Sequence, residues 1–501
     1  MATIAVSGLT FRYDSSPGNI FENVSFQLDT DWKLGFTGRN GRGKTTFLKL
    51  LMGEYPYAGS ILSPVSFSYF PFRIAAAHDE TAQVLPGVGN EYEEWELLRE
   101  LNLLQVPANV LYRPFDTLSY GERTKVLIAS LFLRKNSFLL LDEPTNHLDV
   151  HGRSVLAEYL AGKKGFILVS HDRATLDRVV DHVLSINRTD ITVRKGTFSS
   201  WLEDKWRQDE SEADENRRLK KDIARLQSAA RRAADWSGKV EASKCRSGPV
   251  DSDAPADRGA IGHKAAKMMK RAKAIETRQQ AAATRKSALL RNVEETEPLK
   301  LSPLAYRAPV LASLSNVSIA YGGRGVVAGV DLDIRRGDRI ALLGRNGSGK
   351  SSILRLLCGE EVPHSGEIRI GGGLRISYLP QDTSGVSGDV MTFALRESSD
   401  RSLFLAILHK LGFDKTLFAK DIRELSEGQR KKVLLARSLS ESAHLYLWDE
   451  PLNYVDLQSR MQIEALLAAS APTMVFVEHD ETFVRNVATA EIRLPGETPP
   501  M

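Results

Sequence analysis

Two stretches of this 501-residue chain carry glycines, a lysine and a hydroxyl at the spacing needed to grip a phosphate. The pattern G-x-x-x-x-G-K-[ST] is met by Gly38, Gly43, Lys44 and Thr45, and again by Gly344, Gly349, Lys350 and Ser351. Glycines let successive backbone N–H groups turn inward around an anion, the lysine reaches the outer phosphates, and the hydroxyl can ligate Mg²⁺. Asn40, Gly41 and Thr46 complete the first loop, and Asn346, Gly347 and Ser352 the second. Asp142 and Glu143, like Asp449 and Glu450, follow apolar runs. Such a pair suits a metal-holding carboxylate followed by a base that polarises water. Adjacent acids can also be plain surface charge, but the preceding apolar run and the upstream lysine argue against it. His171 and His479 stand 28 and 29 residues beyond the two glutamates, each before an aspartate, where an imidazole could contact a γ-phosphate.

These residues belong to an internal repeat. Equivalent positions are offset by 306 (Gly38, Gly344), 307 (Ser119, Ser426), 307 (Asp142, Asp449) and 308 (His171, His479), and so nearly constant an offset means duplication of a whole domain. LSYGER from Leu118 and LSEGQR from Leu425 open segments that read as helices, whose Ser119 and Gly121, or Ser426 and Gly428, could grip an anion. Lys33 to Thr37 and Arg339 to Leu343 read as strands feeding the glycine loops, and Leu139 to Leu141 and Leu445 to Leu447 as buried strands ending at carboxylates. Short apolar runs alternating with amphipathic stretches predict an α/β fold with a mostly parallel sheet in each copy.

Bulk composition fits two or three domains: 42% hydrophobic and 26% charged residues supply cores without suggesting a disordered chain. The apolar runs are far shorter than the roughly 20 residues that span a bilayer. MATIAVSGLTFRYD has no basic start followed by an apolar run, so no secretory signal is read and the expected location is cytoplasmic. With only Cys245 and Cys358, neither a disulfide framework nor a four-thiolate metal site can be built within the chain.

The set of P-loop, LSxG, acidic pair and histidine, present twice, resembles the ABC ATPase superfamily over both repeats. That resemblance implies a head-to-tail sandwich within one monomer, with Mg²⁺-ATP as the cofactor. ATP bound by Lys44, Asp142 and His171 would be completed by Ser426 and Gly428, and ATP bound by Lys350, Asp449 and His479 by Ser119 and Gly121. Family analogy makes Tyr13 and Tyr321 adenine-stacking residues and Gln381 a sensor of metal and water. Copy one has Phe72 where copy two has Gln381, so either the first site dispenses with this contact or the alignment slips there. Unequal hydrolysis at the two sites is expected.

Between the copies lie about 100 residues without P-loop chemistry. Leu219, Ile223, Leu226, Ala230 and Ala233 follow a helical seam, with Ser200 and Glu203 as a capping box, and Ala265, Met268, Ala272 and Ile275 repeat the spacing. Prolines and glycines near 243–262 interrupt the pattern as a tip loop, so an antiparallel hairpin is expected. Residues 216–246 and 263–291 together carry +15, whereas the whole chain carries +4, as expected of a phosphate-backbone binder. The fold expected is therefore α/β, with P-loop domains at 1–199 and 300–501 joined by a basic helical hairpin at 200–299.

DTDWKLGFTGRNGRGKTT at Asp29 to Thr46, LSYGERTKVLIASLFL at Leu118 to Leu133 and GHKAAKMMKRAKAIE at Gly262 to Glu276 resemble the ABC-F ribosome-associated ATPases, with likeness to the Lsa and Vga resistance group. The resemblance implies binding of the bacterial ribosome, near large-subunit rRNA and P-site tRNA at the exit site, and protection of the peptidyl-transferase centre from lincosamides, streptogramin A and pleuromutilins. It implies no membrane subunit. A housekeeping ABC-F factor and the ATPase subunit of a membrane importer are the competing readings.

Overall fold

The computed structural model describes residues 2–14, 18–38, 41–72, 74, 77–85, 92–146, 148–186, 190–244, 270, 273–274, 277–278, 281, 301–395, 400–414, 417–418 and 420–494. Contacts divide the chain into two units, Met1–Trp201 with Pro298–Met501, and Leu202–Glu297.

The first unit holds both copies of the repeat. Copy one opens with antiparallel β1 (Thr3–Phe11), β2 (Phe21–Asp29) and, later in the chain, β4 (Ala58–Leu62), in the order β2-β1-β4. Its central sheet comprises β3 (Lys33–Thr37), β5 (Ser66–Phe70), β6 (Ser137–Asp142), β7 (Phe166–Val169), β8 (His182–Ile186) and β9 (Ile191–Lys195), ordered β5-β6-β7-β3-β8-β9. All neighbours are parallel except β8 and β9. Copy two repeats the plan with an antiparallel sheet of β10 (Val310–Tyr321), β11 (Arg324–Arg335) and β13 (His364–Ile370), ordered β11-β10-β13. Its parallel sheet takes β12 (Arg339–Leu343), β14 (Ile376–Leu379), β15 (Leu445–Asp449), β16 (Met474–Val477) and β17 (Ala490–Arg493) in the order β14-β15-β16-β12-β17.

The central strands are apolar over most of their length, as parallel strands buried on both faces must be. FILV in β7 and MVFV in β16 are buried at every position, as are four of the five residues of β3. Phe47, on the helix Lys44–Leu51, meets Phe21, Phe26 and Phe36 with ring centroids 5.4–6.0 Å apart, which seats that helix on the sheet. Packing of this kind, rather than helix propensity, holds an eight-residue helix in place.

Strand order has a direct consequence for chemistry. β6, β7 and β3 lie side by side and parallel, so their carboxyl ends bring Asp142, the segment reaching His171 and the first glycine loop to one edge. β15, β16 and β12 do the same with Asp449, His479 and the second loop.

A 47-residue helix, Phe198–Lys244, opens at the end of the first cassette and supplies the described start of the second unit, beginning three residues earlier than a Ser200 cap would place it. Thr197 takes the capping role, accepting from the Ser200 amide at 3.3 Å, and Ser200 returns its hydroxyl to the Thr197 carbonyl at 2.8 Å. At 1.5 Å per residue this helix is roughly 70 Å long. The tip at 243–262 lies outside the described residues apart from the last helical positions, and so do Ala265, Met268, Ala272 and Ile275. No described helix is long and apolar enough to cross a membrane.

Candidate nucleotide sites

Each glycine loop turns through left-handed backbone. Gly41 and Gly43 have φ of 81° and 94°, Gly347 and Gly349 of 83° and 84°. At Gly43 a Cβ would also lie 2.6 Å from Ile20 Cγ2, so space as well as conformation demands glycine there. Lys44 Nζ donates to Gly38 O at 2.6 Å, and Lys350 Nζ to Gly344 O and Arg345 O at 2.9 Å each. Asn40 lies outside the described residues. Thr45 Oγ1 donates to Asp142 Oδ2 at 2.8 Å, and Tyr69 OH reaches the same oxygen at 3.0 Å. In copy two the Ser351 hydroxyl likewise bonds Asp449, whose buried Oδ1 has no protein partner. A hydroxyl and a carboxylate oxygen held together, one oxygen orphaned, form a hard-donor set that fits Mg²⁺ sharing its shell with phosphates.

Glu143 and Glu450 both adopt left-handed φ, 52° and 48°, a conformation costly for glutamate and concentrated at functional sites. Each backbone N–H is fixed on the neighbouring strand, Glu143 to Val169 O at 2.9 Å and Glu450 to Val477 O at 3.0 Å. Glu143 Oε1 lies 3.2 Å from His171 Nε2, and Glu450 Oε1 3.5 Å from His479 Nε2. Their proton affinities diverge. Burial, with Asp142 alongside, pushes the Glu143 carboxyl up to about 7 despite Lys44 and Arg460. Burial opposes the charge on Glu450 too. Here the neighbouring His479 ring and an Asn453 amide donating at 2.6 Å outweigh it and hold the carboxyl at about 2. His171 sits well below the ordinary imidazole range, because it is buried and then because Lys44, Arg460 and Lys432 surround it.

The LSxG serines cap their helices. Ser119 Oγ accepts from the Glu122 amide at 3.2 Å while its own N–H and hydroxyl both donate to Glu122 Oε2 at 2.8 Å. Ser426 accepts from the Gln429 amide at 3.3 Å and returns its N–H to Gln429 Oε1 at 3.0 Å. Gly428 leaves room for Tyr454, whose Cβ would lie 2.9 Å from an added Cβ, and Gly121 faces Leu148. Tyr13 OH is 2.9 Å from Thr46 Oγ1, with its ring edge-on to Phe11 and Tyr55. Tyr321 OH donates to Ser352 Oγ at 3.1 Å, and its residue is 43% exposed.

Strand pairing resolves the alignment at Phe72. Phe70 sits opposite Leu141 and Leu379 opposite Trp448, each the residue before the aspartate, so Phe72 does stand where copy two has Gln381.

The copies also meet through residues that motif reading passed over. Lys44 feels the carboxylate of Asp456 and Lys350 that of Asp149, each across the repeat. Lys432, on the helix opened by Ser426, acts on His171. Arg460 Nη1 donates to His171 O at 3.3 Å, and Arg173 pairs with Glu464. The repeat offset of 307 links Asp149 to Asp456 and Arg153 to Arg460, a signal available in the sequence. Arg173 and Glu464 stand opposite Glu481 and Ala157 in the other copy, so repetition gave no pointer to them.

A family model described as ABC transporter matches residues 21–146 and again 327–453, together just over half of the chain. The chain belongs to the ABC transporter family. Its two ABC domains make it an ATPase, of a family that binds ATP with Mg²⁺. Among relatives, the Bacillus subtilis ribosome protection protein VmlR is 26% identical over 96% of this chain and 85% of its own. The Caulobacter vibrioides ATP-binding protein Uup is 28% identical over 95% and 75%. The Escherichia coli probable ATP-binding protein YheS is 26% identical over 93% and 75%. Among solved structures, the archaeal ribosome recycling factor aABCE1, in complex with stalk protein aP1, matches with a TM-score of 0.65 at 19% identity. It covers 98% of this chain and 88% of that one, a likeness of fold.

Proposed function

We propose that the chain is an ABC-F type ATPase that clasps two nucleotides between its own cassettes and, so closed, binds the bacterial ribosome. In this reading residues 1–199 and 300–501 are the cassettes and 200–299 a basic helical hairpin. Each glycine loop holds the phosphates of one ATP, Thr45 with Asp142 and Ser351 with Asp449 and Gln381 hold Mg²⁺, and the opposite LSxG segment completes the site. Bound there, Mg²⁺ would neutralise charge on the phosphates. Glu143 and Glu450 polarise the attacking water, with His171 and His479 contacting the γ-phosphate and Tyr13 and Tyr321 the adenine.

The observation that carries the clasp is contact between the copies at the first histidine: Arg460 Nη1 donates to His171 O at 3.3 Å and Arg173 pairs with Glu464. Ribosome binding is supported by similarity along nearly the whole chain to a relative named a ribosome protection protein, and by the +15 carried by residues 216–246 and 263–291. The finer reading is that the tip near 243–262 reaches the peptidyl-transferase centre and protects it from lincosamides, streptogramin A and pleuromutilins. Relatives at similar identity, 28% and 26%, are named for ATP binding alone, without protection, and this supports a second reading in which the chain is a housekeeping translation factor that guards no drug site.

Replacing Glu143 and Glu450 together with Gln should lower ATP turnover about 100-fold or more, leave ATP binding intact, and make the protein sediment with ribosomes when ATP is present. Unchanged turnover would remove the glutamates' role, and sedimentation indifferent to ATP would remove the clasp. Cell-free translation with lincomycin separates the two finer readings, since a protective factor rescues synthesis and loses that ability when 243–262 is deleted.

A further inference from the structure

The helix Leu457–Ser470 of copy two presents two groups, one helical turn apart, to the segment that carries His171 of copy one. Arg460 is 5% exposed and spends its guanidinium on carbonyls: Nε donates to Val455 O at 3.0 Å, Nη2 to Leu452 O at 3.0 Å, and Nη1 to His171 O across the repeat at 3.3 Å. Nη1 also pairs with Asp480 at 3.2 Å. Four residues on, Glu464 Oε1 takes the Arg173 guanidinium while Glu464 Oε2 accepts from Asn486 at 3.2 Å. Both side chains of the Arg173–Glu464 pair are about 10% exposed. The histidine segment is thus gripped on either side of Asp172, at the His171 carbonyl and at the Arg173 side chain.

The grip is one-sided. Arg153, the counterpart of Arg460, makes the equivalent bond to Leu148 O at 3.0 Å and pairs with Asp172 at 3.6 Å. At the place of Glu464, however, copy one has Ala157, and at the place of Arg173 copy two has Glu481. A methyl group cannot anchor a carboxylate, so the His479 segment has no such ion pair to fall back on. A pair this buried holds its geometry tightly, because losing either partner strands a charge away from water.

We infer that Arg173 and Glu464 form an inter-cassette clamp that positions His171, a tie of the first nucleotide site to the second cassette that has no matching ion pair at the second site among the described residues. This rests on the assignment of His171 and Glu143 to the first site. Arg173 and Glu464 are positioning residues, acting through the segment that carries the histidine.

The test uses the full chain and two readouts. The first is amide hydrogen exchange, measured by mass spectrometry in the peptides covering Ser170–Thr175 and Glu478–Phe483. Glu464→Ala should accelerate exchange in the first peptide and leave the second unchanged, and the swapped pair Arg173→Glu with Glu464→Arg should restore protection. The second is ATP turnover with one site silenced. In a Glu450→Gln background, Glu464→Ala should lower kcat roughly tenfold with KM changed little, as expected when a catalytic group is misplaced by a fraction of an ångström, and the swap should recover most of it. In a Glu143→Gln background the same substitution should change turnover less than about twofold. Equal losses at both sites, or no rescue by the swap, would overturn the clamp. Exchange that responds without any change in first-site kcat would reduce it to a structural tie. Wild-type turnover in His171→Ala would instead refute the assignment of the histidine, and the exchange data would still judge the clamp.

Discussion

Glu143 and Glu450 share a left-handed backbone, a strand-end position and a nearby histidine, yet they hold protons oppositely. The cause is local. The His479 ring and the Asn453 amide, donating at 2.6 Å, both favour the Glu450 carboxylate, whereas Glu143 is buried beside the Asp142 carboxylate with a neutral His171. A base works only when ionised, and kcat/KM reports the free enzyme. With Glu450→Gln, so that turnover comes from the first site, kcat/KM should fall as pH drops through about 7. With Glu143→Gln, leaving the second site, the profile should stay level through that range, because Glu450 is charged down to about 2. Two identical profiles in a buffered pH series would contradict this difference.

At the scale of elements, the two cassettes attach their helical parts to their cores by different chemistry. Glu100, on the helix Glu94–Leu103, is 3% exposed and accepts from Tyr159 OH at 2.7 Å and from the Lys163 ammonium, both at the end of the helix after β6. The positions matching Glu100 and Tyr159 in copy two are Ile407 and Leu466, both buried. Glu100→Ala should cost about 3 kcal/mol, since it leaves buried donors unpaired, visible as an earlier urea transition of the first cassette. Glu100→Ile with Tyr159→Leu should recover much of that loss, as copy two demonstrates with the same apolar solution. This contrast also marks what could be read from the sequence. Strands β3 and β12 fall on the residues expected, and LSxG opens capped helices, because apolar runs, glycine turns and serine caps are encoded within a few residues of themselves. Glu100 with Lys163, and Arg173 with Glu464, join residues 63 and 291 apart, and neither pair is repeated in the other copy. Such pairs leave no local pattern. The long helix was legible from its seam, but its start was misplaced because Thr197 and Ser200 are equally good caps and packing of Phe198, 1% exposed, selects the earlier one.

For the molecule as a whole, charge is segregated: within the inter-cassette segment, residues 216–246 and 263–291 carry +15, and the rest of the chain carries −11. If that segment contacts RNA phosphates, each contact releases counterions and affinity falls steeply with salt. Replacing Lys264, Lys267, Lys270, Arg271 and Lys273 with Gln should weaken ribosome binding more than about tenfold at physiological salt and flatten the salt dependence, as measured by co-sedimentation at graded KCl. ATP turnover without ribosomes should be unaffected. An unchanged salt slope would mean that these cations face water rather than phosphate.

The two signature serines begin from different company. Ser119 gives both its N–H and its hydroxyl to one Glu122 oxygen, whereas Ser426 leans on the uncharged amide of Gln429. A phosphate arriving beside Ser119 meets the Glu122 carboxylate, with Arg113 3.6 Å from it, and must displace it; one arriving beside Ser426 meets an uncharged cap, the adjacent Glu427 carboxylate being engaged by Tyr454. Fastening such a molecule would then proceed like a buckle with one stiff prong, the half lined by Ser426 snapping home first and the half lined by Ser119 following under tension.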